Sequence, residues 1–295
     1  MSTSNFFKHS PPVFIMGTQR SGTTLLTKMM SSHPNIHIQN ELPLRLVFTD
    51  DCRKDTVLEN FDKLYHKRYS TNIAGFMSNH KKDIWGLKDP QLTEHIVSLR
   101  QFLPDSKFIF IVRDPRAVVN SYIDNKWGLG TTAYTGVKRW CEEVLAQDSF
   151  LEEMGNNGLH LRYEDLVKNT EATLKTVCKH LSLQYSDDML KSGKQTVRFS
   201  PNRSNANTNQ QVTSSFASKW KLSLSRREVE EIESLAKPLM IKHGYPLETN
   251  AVPPSKFRQF YYNLHQIIVG ELQIQYQLKR VRLKALLAKV LPRDA

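Results

Sequence analysis

GTQRSGTTLL, residues Gly17 to Leu26, follows PVFIMG (Pro12 to Gly17), a short apolar run that closes on glycine as a buried strand does. Beyond it Leu25, Leu26, Met29 and Met30 recur at helical spacing between Gly22 and Ser32. The order is strand, tight loop, helix. The glycines fit G-x-x-x-x-G-T-T, the spacing of a P-loop, in which backbone N–H groups and a helix N-terminus surround phosphate oxygens. Thr23 stands where a nucleotide-triphosphate loop carries its lysine, and no apolar strand ends in a Walker-type aspartate. Those departures argue against a kinase or ATPase, which places that lysine and Mg²⁺ on the β/γ-phosphates. A donor with less charge at its reacting end could be served by Arg20, Thr23 and Thr24 without metal.

Working outward, KFIFIV (Lys107 to Val112) stops at Arg113-Asp114-Pro115-Arg116, where Asp114 can cap and Pro115 can open the next helix. Shorter strand candidates are Ile84 to Leu87 and Leu159 to Arg162, separated by helical stretches at Tyr134 to Met154 and Thr170 to Leu181. Strands alternating with helices predict an α/β chain: a P-loop-like three-layer fold with a central parallel β-sheet flanked by helices, plus a C-terminal helical extension. Residues 193–218, rich in Ser, Asn, Gln and Thr, read as a long loop before a helix from Ser225 to Lys242. After Pro253-Pro254 the composition becomes basic and helical, with Leu283, Leu286, Leu287 and Val290 on one side. The domain reading is therefore 1–252 for the main domain and 253–295 for the extension.

A chain of 295 residues with 39% hydrophobic and 24% charged residues can bury a sizeable core. Its net charge of +12 favours anionic partners, and the segment from Lys256 onward carries eight basic residues against Glu271 and Asp294. Cys52, Cys141 and Cys178 are odd in number, without C-x-x-C spacing, and read as free thiols. The opening MSTSNFFKHSPP lacks the features of a signal peptide, and no run approaches a membrane span, so a cytoplasmic protein is expected.

Arg113 follows its strand directly and Ser121 lies eight residues on, roughly on the face of the Arg113 loop, so the two can grip a second phosphate. RSGTT and IVRDPRAVVNSY, about ninety residues apart and each after a predicted strand, together resemble the phosphosulfate-dependent sulfotransferases. The likeness is to the tyrosylprotein sulfotransferase branch and its bacterial relatives, and covers about Pro12 to Pro246. It implies a metal-free enzyme that takes 3′-phosphoadenosine 5′-phosphosulfate as donor co-substrate. The first motif (Gly17, Arg20, Ser21, Gly22, Thr23, Thr24) resembles the family's 5′-phosphosulfate loop, the second (Arg113, Ser121) its 3′-phosphate site. Lys88 in WGLKDP, Tyr163 in LRYEDL, Ser204 in the polar loop and Lys219 in SKW resemble further donor-site residues.

Transfer to a hydroxyl needs a group that takes its proton. Glu41, in HPNIHIQNELP, resembles the branch's glutamate base, although Pro43 replaces an arginine expected two residues later. The bland readings of Glu41 are a solvated loop carboxylate or an N-terminal charge on a helix from Pro43 to Asp50. His33, His37 and His95 are rival bases, His33 reading better as a cap on the last carbonyls of its helix. In the in-line displacement so implied, Arg20, Lys88 and Ser204 stabilise developing charge, while Arg113, Ser121 and Lys219 hold the nucleotide. The acceptor stays open between a peptide tyrosine, a glycan and a small-molecule natural product with a hydroxyl or amine. From another class stands a nucleotide-binding protein without catalysis; a nucleic-acid binder lacks any aromatic-and-basic motif. The basic C-terminal helix reads as packing on its own domain or on a second subunit in a homodimer, or as contacting a membrane surface.

Overall fold

The computed structural model describes residues 2–50, 53–191 and 218–290. Five strands, β1 (Val13–Met16), β2 (Ile36–Asn40), β3 (Ile84–Lys88), β4 (Lys107–Val112) and β5 (Gly158–Arg162), form one sheet in the order β2-β3-β1-β4-β5. Every neighbouring pair is parallel, with Ile15 and Asn40 both in register with Lys88, and Val112 with Arg162. The helices are α1 (Thr3–His9), α2 (Thr23–Ser31), α3 (Lys54–Tyr69), α4 (Ile73–Asn79), α5 (Ile96–Phe102), α6 (Pro115–Asn125), α7 (Ala133–Met154), α8 (Tyr163–Lys168), α9 (Thr170–His180), α10 (Trp220–Ser223), α11 (Arg226–Lys242) and α12 (Lys256–Val290). None of them is long and apolar enough to cross a membrane.

The described residues fall into two compact units. The first, Met1–Arg113 with Glu143–Ser214, holds the whole sheet. Parallel strands are shielded on both faces, which is why β1 and β3 are buried at every position. On one face Phe14 stacks on Phe108 at 5.7 Å between ring centroids. Phe61 and Phe14 meet Trp85 edge-on, and its indole N–H donates to the Tyr65 hydroxyl at 2.6 Å.

β2 is a strand the sequence analysis did not assign, although Ile36 and Ile38 alternate with His37 and Gln39 at the strand period. Gln39 is buried and His37 half-buried, and both are satisfied: Gln39 accepts from the Tyr69 hydroxyl at 3.1 Å and His37 meets the Tyr65 hydroxyl at 3.2 Å. The helix expected at Pro43 to Asp50 is a single 3-10 turn, Leu44–Leu46, with Pro43 before it. His33 reaches the last turn of its helix only through its backbone, whose N–H donates to the Met30 carbonyl at 3.0 Å; its side chain points elsewhere. Its Nε2 contacts the Gln184 carbonyl at 2.9 Å while Nδ1 accepts from the Asn35 amide at 3.1 Å, so this buried ring ties two loops.

The second unit comprises Asp114–Glu142 and Ser215–Ala295. Asp114 caps α6 by accepting from the Arg116 amide, with Pro115 in the first turn, as its sequence predicts. Arg116, 2% exposed, is held at 2.7 Å by both Asp114 and Glu233 and lies 4.3 Å over the Trp220 ring. Glu233 also accepts from the Glu248 and Thr249 amides, so each buried charge is compensated. α11 begins with a complete capping box between Ser225 and Glu228. Pro253-Pro254, the proposed boundary of the extension, directly precedes α12. Cys141 and Cys178 are free thiols, and burial pushes Cys141 up to about 12; Cys52 lies outside the described residues.

Candidate active site

In a parallel sheet the loops that carry chemistry gather at the carboxyl ends of the strands, where the strand order reverses. Here β1 leads leftward to β2 and β3, and β4 begins the other side. Gly17 to Thr24, Glu41, Lys88, Arg113 and Tyr163 follow or close β1, β2, β3, β4 and β5 in turn. The register of the sheet thus brings them to one edge of the first unit.

The loop after β1 has no room to spare. A Cβ on Gly17 would stand 2.5 Å from the Ile111 carbonyl oxygen and 2.6 Å from Ser21 Oγ. Gly22 has φ +103°, a left-handed value, and a Cβ there would stand 2.4 Å from Tyr163 Cδ2. The Tyr163 ring therefore lies against the loop, and the Arg113 guanidinium lies 4.3 Å over that ring. Arg113 also donates to the Arg20 carbonyl at 3.0 Å, fastening the end of β4 to the loop. Arg20 itself is held at φ +72°. Burial raises the Tyr163 phenol, so it stays neutral.

An anion fits this cradle on three counts. Gly22 begins α2 with no side-chain cap, and first-turn amides have no acceptor within a helix. Ser21 and Thr18 bury hydroxyl oxygens that have no hydrogen-bond partner among the described residues. The Arg113 guanidinium, bonded to the Arg20 carbonyl at 3.0 Å, adds a cation beside the loop.

The second cluster sits where β2 and β3 end. Glu41 adopts φ +47°, its amide donating to the Lys88 carbonyl at 2.8 Å. Its carboxylate accepts from Lys88 Nζ at 2.7 Å, the lysine side chain 4% exposed and the glutamate 55%. Sequence reasoning missed Asp89. It is buried, accepts from the Leu42 and Gln91 amides, and so joins the two strand ends. Burial, and next the nearby Glu41 charge, lift its carboxyl to about 6 against the amides and Lys88. The Asp-Pro pair that opens the following turn was the available signal.

Neither remaining histidine has a base's exposure. Burial, with the charges of His80, Lys82 and Arg68, lowers His37 to about 4. His95 is lowered by burial and stacks on Phe48 at 4.8 Å. In the second unit Ser121 lies on α6, and Lys219, just before α10, pairs with Asp124 at 3.1 Å. Ser204 lies outside the described residues.

Residues 11–187 match the family model described as the Sulfotransferase family. Protein-tyrosine sulfotransferase A of Caenorhabditis elegans is 26% identical, over 86% of this chain and 72% of its own length. Human protein-tyrosine sulfotransferase 1 is 25% identical, over 94% and 81% respectively. Among solved structures the sulfotransferase domain from the curacin biosynthetic pathway superposes with a TM-score of 0.62 at 20% identity, over 81% of this chain and 99% of that one. Mouse sulfotransferase SULT7A1 complexed with PAP superposes with a TM-score of 0.51 at 15% identity, over 81% and 90%. With a five-stranded parallel sheet, a phosphate-type loop after its central strand and a family match across most of that unit, the chain belongs to the sulfotransferase family of sulfuryl-transferring enzymes.

Proposed function

We propose that this sulfotransferase takes its sulfuryl group from 3′-phosphoadenosine 5′-phosphosulfate and delivers it to a hydroxyl acceptor, with Glu41 as the base. The observation that carries the donor reading is the cradle of Gly17, Gly22 and the Ser21 hydroxyl, held shut by Tyr163 and Arg113. That a fold neighbour was solved with PAP supports the same nucleotide.

In this reading Gly17, Ser21, Gly22, Thr23 and Thr24 offer amides and hydroxyls to the 5′-phosphosulfate, and Arg20 adds a cation. Arg113 serves the rest of the nucleotide, with Tyr163 supporting it and the loop, while Ser121 and Lys219 are retained in the roles their resemblance implies. The acceptor oxygen attacks sulfur as the bond from sulfur to the bridging phosphate oxygen breaks. The electron pair leaves with 3′-phosphoadenosine 5′-phosphate, and the hydroxyl proton passes to Glu41. Lys88 serves both partners of this event: its Nζ orients the Glu41 carboxylate through their 2.7 Å contact and offers a cation to the developing anion. Ser204 is retained in the role its resemblance implies.

The relatives' names point to a peptide tyrosine as acceptor. A small-molecule hydroxyl is the second reading, favoured by Pro43, which stands where the resemblance expects an arginine. Incubation with donor carrying labelled sulfur separates the two: label in a tyrosine peptide of acidic sequence supports the first, label only in small phenols or alcohols the second. Absence of transfer to any hydroxyl, with intact folding and donor binding, would overturn Glu41-assisted catalysis.

A further inference from the structure

The longest helix, α12, is built inside out. The face turned to its own unit carries glutamines beside Ile274 and Tyr262: Gln266 donates to the Gly128 carbonyl at 2.7 Å and accepts from the Thr131 amide at 2.8 Å, and Gln273 accepts from the Gly128 amide at 3.1 Å. Gly128 and Gly270 bring the backbones into close approach; a Cβ on Gly128 would stand 2.8 Å from the Gly270 carbonyl oxygen. This docking fixes which way the rest of the helix faces.

The opposite face is mostly apolar, with exposed Glu271 as an acidic interruption inside it. Phe257, Phe260, Tyr261, Leu264, Ile267 and Leu272 are all exposed, Phe257 by 79% and Ile267 by 70%. At the helical advance per residue they share an arc of about 140°. Scattered surface hydrophobes need no explanation, but a contiguous aromatic and aliphatic arc does. Directly beyond it Lys279, Arg280, Arg282, Lys284 and Lys289 follow with no acidic residue among them.

We propose that this face of α12 lies on an anionic lipid bilayer, its aromatic arc entering the headgroup layer and Lys279 and Arg282, which share the arc, meeting the lipid phosphates. Charge chooses the partner. A second copy would bring a like-charged cluster alongside, whereas an anionic surface complements it, and an apolar arc beside Lys and Arg is the pattern of helices that lie in the interface. Among the described residues no helix is long and apolar enough to cross a membrane, so the proposed contact is one of surface attachment.

Vesicle flotation of the full chain tests this, with phosphatidylcholine alone and with phosphatidylcholine containing one third phosphatidylglycerol. The chain should float with the anionic vesicles only, and less as salt rises. Lys279→Gln with Arg282→Gln should weaken partitioning about 25-fold, at about fivefold for each charge. Phe260→Ser with Ile267→Ser should abolish it, while both variants keep the wild-type melting temperature. Equal flotation with neutral vesicles, no flotation at all, or flotation unchanged in both variants would overturn the proposal. So would a concentration-dependent doubling of mass in solution that Phe260→Ser removes, which would give the arc to a second copy.

Discussion

The two parts of the candidate site are made of different materials. After β1, β4 and β5 the site is backbone and packing: glycines with no space for a Cβ, a buried ring, and an arginine bonded to a carbonyl. After β2 and β3 it is side-chain charge: Glu41 on Lys88, with Asp89 beneath. A phosphate held by amides needs a rigid, pre-shaped loop, and rigidity comes from packing. A proton acceptor needs an exposed oxygen and a set charge, which packing would spoil. Damage to the first region should therefore reach folding and binding together, and damage to the second only the chemistry.

The largest effect that would sharpen this contrast belongs to Gly22→Val. With φ +103° and Tyr163 in the way, the variant should lose donor binding and also about 2–4 kcal/mol of stability, read by calorimetry and by urea unfolding. If binding vanished with stability intact, the loop would not be the packed element described. Next comes Glu41→Gln, for which kcat should fall by roughly 10²–10⁴ with donor affinity unchanged. Because Glu41 is more than half exposed, its pair with Lys88 should cost about 1 kcal/mol or less in unfolding experiments. A large stability loss here would erase the distinction between the two regions.

Asp89→Asn gives a smaller, pH-dependent effect. The folded carboxyl is raised from 3.8 to about 6, so the native state holds its proton more tightly than the unfolded chain. That contribution is complete below the ordinary value and disappears as pH rises through about 6. Relative to the asparagine variant, wild type should thus lose stability between those two values, and a pH-independent difference would contradict the assignment. Smallest of all is Tyr163→Phe. The ring supports Gly22 and Arg113, so donor affinity should change only a few-fold, whereas Tyr163→Ala should lose it.

Legibility in the sequence followed the same division. The loop after β1 and the Asp114-Pro115 start of α6 were readable because backbone geometry dictates residue type: glycine where a Cβ cannot stand, aspartate and proline where a helix begins. β2 was not assigned despite its alternation, since the shelter of Gln39 and of half-buried His37 comes from Tyr65 and Tyr69 on α3, a tertiary fact. The Pro43 helix failed for a kindred reason: apolar Leu44 and Val47 are buried by the unit's core, not by helical periodicity. Asp89 escaped notice because its perturbation arises from burial between two strands distant in sequence. The outward arc of α12 looked ordinary until Gln266 and Gln273 were seen to occupy the inward side.

Calorimetric titration of 3′-phosphoadenosine 5′-phosphate into the wild type, Arg113→Ala and Glu41→Gln tests the central claim most directly. The account predicts tight binding by the wild type and by Glu41→Gln, and loss of at least about a hundredfold in Arg113→Ala, where a charge-assisted contact and the support of Tyr163 disappear together. Unchanged affinity in Arg113→Ala, or no binding by the wild type, would contradict it.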